Sequence, residues 1–404
     1  MTPHAVIDVP PRRPEPQLHR GEETSAAVGA DARPTGRPEP GTRDAAPPPA
    51  GRLLSLDAFR GFVILGMLLV NNMIWNAATP RQLMHAPWGG GVTFTDMILP
   101  WFVLTVGVTI PVGARTGLRG AAYALRVARR TASLVALGVL IDSVASHGFT
   151  VSMDVLQLLG LSYLVAALLS RARVLARLAT AAGLLAGYAA LLTLVPVPGL
   201  GVGVFQEHHN IIQYLNDTYL TPHALAGVLA VAPAAALALL GTTAGDLLRA
   251  GRTKEVAKTG ALAAAGAALV LGGWLWGQTL PLNKDLWTPT YVLFAGGLGL
   301  LLLAACHLLF DIVRLRSLGV PLAVLGSNAI VGYVASALFA IGAMQTWPDP
   351  RAPGHTLSLH TAVLDPLGGA IGPVAAGWIY TASVIALWWL VLFALYRRRV
   401  FIRV

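Results

Sequence analysis

Ten apolar segments recur along the chain between short polar stretches, and each approaches the roughly 20 residues that a helix needs to cross a hydrocarbon core. They centre on 59–75, 97–113, 131–144, 151–169, 176–195, 225–247, 260–280, 290–310, 322–344 and 374–396. The pattern predicts an all-α fold, a polytopic membrane helix bundle of about ten transmembrane helices. Glycine and proline inside several segments are compatible with it, because neighbouring helices re-satisfy freed backbone groups. Residues 1–50 break the pattern, being rich in Pro, Arg, Glu, Gly and Thr and nearly free of aromatic and branched apolar side chains. Such a stretch buries too little surface to offset its chain entropy. It lacks the apolar core and small-residue cleavage site of a signal peptide, so a disordered tail is expected over 1–50, followed by a transmembrane domain over 51–404. The tail's Pro-rich pieces, VPPRRPEP and AAPPPAG, could dock a partner or stay solvated.

Charge orients the bundle. Placed on alternate sides of the ten segments, 26 of the 29 Lys and Arg fall on the side of the termini, and only Arg81, Lys284 and Arg351 on the other. Positive residues accumulate in the cytoplasm. Both termini are therefore expected there, with the loop carrying His85 outside. A hydrophobic content of 55%, a charged content of 12% and a mean hydropathy of +0.64 exclude an ordinary soluble domain. The net charge of +10 does not indicate nucleic acid, because the basic residues are dispersed between apolar runs rather than gathered on one folded surface. The single cysteine, Cys306, lies in an apolar run; it excludes an intrachain disulfide and is expected to be buried filler.

Against this background the stretch 52–112 concentrates polar side chains where a membrane protein tolerates few, which makes it the candidate site. Asp57 and Arg60 stand at the i, i+3 spacing that lets side chains meet on one helix face, and Ser55 is expected to cap that helix. They serve either a ligand, which Gly61 would let approach the backbone, or as a capping carboxylate and a snorkelling arginine. Asn71 and Asn72 end the span outside, suited to donate to an oxyanion or to bond across helices. His85 is the side chain able to take and return a proton at neutral pH without special tuning. It is flanked by Trp88, by Gly89, Gly90 and Gly91, and by Thr93 and Asp96 on one helix face. Farther on, the exposed pair His208 and His209 admits a metal reading, against which stands the absence of ordered carboxylate partners.

The ordered set SLDAFRG, VNN, HAPW, TDMILPWF, DVLQLLGLSYLV, LLGTTAG, PLNKDLWTPTYVLF and VLGSNAIVGYV resembles the heparan-alpha-glucosaminide N-acetyltransferase family of transmembrane acyltransferases, over nearly everything after Arg52. The resemblance implies an acyltransferase domain that carries acetyl from cytosolic acetyl-CoA, as donor substrate, to an amino sugar on the far side of the membrane. It places the catalytic histidine on His85 and its asparagine partner on Asn71. Asp57, Arg60, Asp96, Asn283, Lys284, Trp287 and Asn328 fall on motif positions. Three departures bear on the glycan acceptor rather than on acyl transfer: the longer loop PWGGGV, Leu158 after VLQ, and His223 before the sixth span.

The sequence reading is thus an acetyl-CoA-dependent N-acetyltransferase with His85, Asn71 and Asp96 catalytic. Asp57, Arg60, Trp88, Asn283, Lys284, Trp287 and Asn328 bind substrate, and no metal takes part. His85 acts as general base or as acetyl acceptor, Asn71 holds the thioester oxygen, and Asp96 orients the imidazole or the acceptor. The expected partners are acetyl-CoA, an extracytoplasmic glycan or amino sugar and the lipid bilayer, with room for a homodimer. Short loops without a large lumenal domain point to a bacterial cell membrane. The competing readings are a transporter or lipid-binding protein without chemistry, and an O-acetyltransferase of a cell-envelope polymer.

Overall fold

The computed structural model describes residues 53–76, 78–113, 120–348 and 356–402. The leader over 1–50, and Asp349, Arg351 and His355, lie outside the described residues. Helix α1 (Leu54–Asn72) and helix α2 (Phe94–Gly113) form the centre. Around them run α3 (Gly120–Ala145), α4 (Val155–Leu169), α5 (Val174–Leu194), the short α6 (Ile211–Leu215), α7 (Val231–Arg249), α8 (Glu255–Trp276) and α9 (Pro289–Cys306). The chain ends through α10 (Arg316–Ser327), α11 (Ala329–Met344), α12 (Leu359–Ile371) and α13 (Pro373–Arg397). Two small antiparallel ribbons decorate the loops, β1 (Phe205–Gln206) with β2 (His209–Asn210), and β3 (Thr346–Pro348) with β4 (Thr356–Ser358).

Among the described residues seven helical stretches are long and apolar enough to cross a membrane: α1, α2, α5, Val228–Arg249, α8, Pro289–Ile312 and α13. A further crossing needs α10 and α11 together, across a 68° bend at Asn328. The other two segments counted from the sequence are helical but do not qualify. In α3 the first half carries Arg126, Arg129 and Arg130, and α4 is only 15 residues long. Burial separates centre from periphery, since 72% of the α2 span is buried against 17% of the α13 span. The outer helices turn Leu175, Leu271, Trp274 and Leu390 outward, as a lipid-facing surface requires.

Glycine lets the central helices meet backbone to backbone, the usual device where hydrocarbon removes any hydrophobic gain from association. A Cβ on Gly61 would stand 1.8 Å from the Leu322 carbonyl oxygen of α10, and one on Gly326 would stand 2.0 Å from that of Asp57. Gly107 of α2 meets Ala238 of α7 in the same way, at 2.1 Å. Gly61 therefore seats α10 rather than a ligand. Nor does Ser55 cap α1: the helix begins after Leu53, and the Ser55 amide and hydroxyl both donate to the carboxylate of Asp311, beyond α9.

Replacing Gly61 by Ala forces α1 and α10 apart, a steric overload worth about 1–3 kcal/mol. A lower thermal midpoint of the detergent-solubilised protein is expected for Gly61→Ala. Gly113→Ala, with nothing within 4 Å of the added carbon, should leave the midpoint unchanged.

Candidate active site

The loop between α1 and α2 is built onto the start of α2. A 3₁₀ turn, Arg81–Leu83, presents Gln82, whose side-chain oxygen accepts the Phe94 amide at 2.9 Å and whose carbonyl accepts the Thr95 hydroxyl at 3.3 Å. The first bond satisfies a backbone donor that the first turn of a helix leaves without a partner; the second ties the Thr95 side chain to the turn. Phe94 then packs edge-on against Phe62, ring centroids 6.2 Å apart, while a Cβ on Gly66 would touch both Phe94 and Ile98. The start of α2 thus stands opposite Gly66, roughly six residues or about 9 Å short of the end of α1. The loop descends into the bundle and the site is recessed.

Asp96, in the first turn of α2, is the hub. Its side chain is 0% exposed, while that of His85 is 48% exposed. One carboxylate oxygen, Oδ1, takes His85 Nδ1 at 2.8 Å and Lys284 Nζ at 3.1 Å. The other, Oδ2, accepts the amides of Thr93 at 2.9 Å and Ala86 at 3.2 Å. The Thr93 hydroxyl lies 3.0 Å from Oδ2 and 2.7 Å from the Met84 carbonyl, so its proton is shared between them. A carboxylate only accepts, so Nδ1 of His85 carries the proton facing it, and in the neutral ring Nε2 is the nitrogen with the lone pair.

Lys284 arrives from the loop before α9, which is held by its own side chains. Asn283 Oδ1 accepts the Leu286 amide at 3.0 Å, and the Thr288 hydroxyl oxygen accepts the Asn283 amide at 3.0 Å. Trp287 adopts a left-handed φ of 49° and donates its amide to the Lys284 carbonyl, turning the chain back. Its ring meets that of Tyr291 at 5.8 Å, and the Tyr291 hydroxyl donates to the Asp96 carbonyl at 2.6 Å. From α5, Tyr188 donates to the Leu286 carbonyl at 2.9 Å. Next to Lys284, burial pushes the Asp285 carboxyl above its ordinary range, helped by the charges of Asp96 and Glu207 and opposed by Lys284 and His85.

The remaining sequence candidates separate into two groups. Trp88 anchors the His85 loop to the outer loop, its ring N–H donating to the Phe205 carbonyl at 2.8 Å beside the cluster around Tyr188 and Ile211. Asn283 and Trp287 shape the lysine loop. Asn71 is exposed at the end of α1, with no hydrogen bond to His85 among the described residues; its neighbour Asn72 is buried and donates to the Leu68 carbonyl at 2.9 Å. Asp57 and Arg60 lie 3.6 Å apart toward the opposite end of α1, about 21 Å and about 16 Å from Asn71 along the helix. Arg60 donates there to the Gly326 carbonyl at 3.3 Å. Asn328 is bonded to the chain's last described residues, donating to the Val400 carbonyl and accepting from the Ile402 amide. The site thus gathers His85, Asp96 and Lys284, while Asp57, Arg60 and Asn328 lie in a second cluster where α1, α10 and the C-terminal segment meet. Gln82, Tyr188, Thr288 and Tyr291 were missed. The last two sit inside the PLNKDLWTPTYVLF motif and could have been drawn from it; Gln82 and Tyr188 carry no signal in the chain.

His208 and His209 are exposed, and among the described residues no group of three His, Cys, Asp or Glu side chains could hold a metal.

Two proteins named heparan-alpha-glucosaminide N-acetyltransferase are similar to this chain. The human one is 25% identical over 422 residues, covering 87% of this chain and 59% of its own length. The mouse one is 30% identical over 130 residues, covering 30% of this chain and 19% of its own. The chain therefore spans less than two thirds of the length of these relatives. The family model described as heparan-alpha-glucosaminide N-acetyltransferase, catalytic, matches residues 52–274. That stretch is more than half of the chain and contains the recessed loop, His85 and Asp96, so the protein belongs to the heparan-alpha-glucosaminide N-acetyltransferase catalytic family.

Proposed function

We propose that this protein is an integral-membrane N-acetyltransferase that moves acetyl from cytosolic acetyl-CoA to the amine of an extracytoplasmic amino sugar, with His85 as the reacting group. The observation that carries the reading is the 2.8 Å contact between a half-exposed His85 and a fully buried Asp96. A carboxylate fixed by two backbone amides holds the imidazole in one tautomer and balances the positive charge it acquires, the role a buried aspartate plays beside a catalytic histidine elsewhere. Nε2 then takes the proton of the attacking amine as the C–N bond forms and the CoA thiolate leaves, or itself accepts the acetyl group and passes it to the amine. Lys284, sharing Asp96 Oδ1 with His85, brings positive charge to the place where the thioester oxygen becomes an anion. Asn71 is the further candidate donor to that oxygen, from the rim of the recess.

The topology in this reading has ten spans, α3 and α4 included, both termini in the cytoplasm and the His85 loop outside, in the cell membrane of a bacterium. Its support is the 26 to 3 division of Lys and Arg. Several inner-face cations are already engaged: Arg177 with Thr242 and Asp246, Lys258 with Glu255, Arg249 with the Pro111 carbonyl. The exposed Arg129 and Arg173 are candidates for the CoA phosphates.

Three outcomes test the reading. With labelled acetyl-CoA and glucosamine, His85→Ala and Asp96→Asn should each lower kcat about 10²–10⁴-fold with KM for acetyl-CoA little changed; full activity in His85→Ala removes the mechanism. Lys284→Met should lower kcat more than Lys284→Arg, which keeps the charge; equal losses would make the lysine structural. For topology, an impermeant maleimide should label Ala78→Cys in intact cells and Arg252→Cys only after permeabilisation. The native Cys306 is buried and contributes little background.

A further inference from the structure

Beside the hub lies a cleft of about 370 Å³ that the acyl-transfer scheme leaves unused. Phe62 of α1, Trp101 of α2 and Leu298 and Leu302 of α9 line its inner part, and Gln82 and Thr93 its outer end. Because Tyr291 of α9 meets Asp96 of α2 and Ala295 meets Trp101, the two helices run parallel. Leu298 and Leu302 therefore lie about 10–16 Å deeper in the bundle than the hub. The cleft starts at Thr93, whose hydroxyl and amide touch Asp96, and runs down into the region that membrane hydrocarbon occupies.

Its lining selects among occupants. The volume falls within the range of small-molecule sites. No charged side chain lines it, so the phosphates of CoA find no partner. A free sugar could bond only at its outer end. Phe62, Phe94, Leu298 and Leu302 are each half-buried, in three helices of spanning length, so the cleft opens sideways toward acyl chains. We propose that it seats the aliphatic chain of a lipid-borne acceptor, with the polar head ending at Gln82 and Thr93 beside His85. The proposal rests on the acyl-transfer reading and assigns its acceptor class, an amino sugar carried on a lipid. Hydrocarbon outside the cleft is as apolar as the cleft itself, so the gain is alignment: a tethered head group reaches His85 at a high effective concentration.

Two readouts test it. In detergent, the KM for dodecyl glucosaminide should be at least tenfold below that for glucosamine. Leu302→Trp, which fills the cleft, should raise the former about tenfold and leave the latter and the KM for acetyl-CoA unchanged. Leu298→Phe repeats the test if Leu302→Trp does not fold. Without turnover, a dodecyl glucosaminide carrying a diazirine in its chain should label peptides containing Met97–Trp101 and Leu298–Leu302, with competition by unmodified dodecyl glucosaminide and not by dodecanol. Equal KM values for the two acceptors overturn the proposal. So do labelling confined to other faces, competition by dodecanol, which marks a bulk-lipid groove, and competition by acetyl-CoA, which places the pantetheine arm there. Absence of transfer to either acceptor in the wild type counts against acyl transfer alone, because the labelling is read independently of it.

Discussion

A carboxylate with no exposure to solvent, inside a helix bundle of membrane type, is the constraint from which the rest of this site follows. Asp96 must have its charge met by donors, since an unpaired buried carboxylate would not stay ionised. The fold supplies them from two loops. The loop between α1 and α2 brings the Ala86 and Thr93 amides, the loop before α9 brings Lys284, and His85 completes the set. Each is placed by a separate fastening: Gln82 on the first turn of α2, Trp88 on Phe205, Tyr188 on Leu286 and Tyr291 on the Asp96 backbone. These fastenings position the hub without touching the Asp96 carboxylate or the His85 ring. Deleting one partner weakens that compensation without abolishing it, so the residues around Asp96 tie the stability of the fold to the placing of His85.

Much of this was legible in the chain, for physical reasons that differ by residue. Polar side chains in an apolar sequence announce themselves, which marked Asp96; His85 was marked by its proton chemistry, and Lys284 by the motif PLNKDLWTPTYVLF. The helices followed from segment length. The bonding partners of the other motif residues did not. Asp57, Arg60 and Asn328 share with the hub the same polar character and the same family motifs, yet they tie α1, α10 and the C-terminal segment together. The separation of Asp57 and Arg60 from the hub follows from their spacing along α1, whereas the place of Asn328 depends on the 68° bend between α10 and α11, which no spacing encodes. Gly61 illustrates the same limit. A small residue beside an arginine is equally a place for a ligand or for a neighbouring backbone, and only the position of Leu322 decides between them. Gln82 was invisible because its role, accepting the Phe94 amide from outside the helix, replaces the local cap that a sequence reading looks for.

The recess of the loop bears directly on the transfer proposed above. Had α2 begun level with the end of α1, His85 would stand at the outer surface, and an acyl donor from the cytoplasm would have to cross the full hydrocarbon thickness. With Phe94 opposite Gly66, the proposed transfer would place His85 below the rim of the bundle, where a donor from one side and an acceptor from the other would meet without either crossing completely. The same descent brings Thr93 to the outer end of an apolar cleft, so a polar hub and a hydrocarbon-facing surface share one residue. Recessing the hub also explains why it needs so many partners: each ångström away from water raises the penalty on Asp96, and the amides, the lysine and the histidine are what make that depth tolerable.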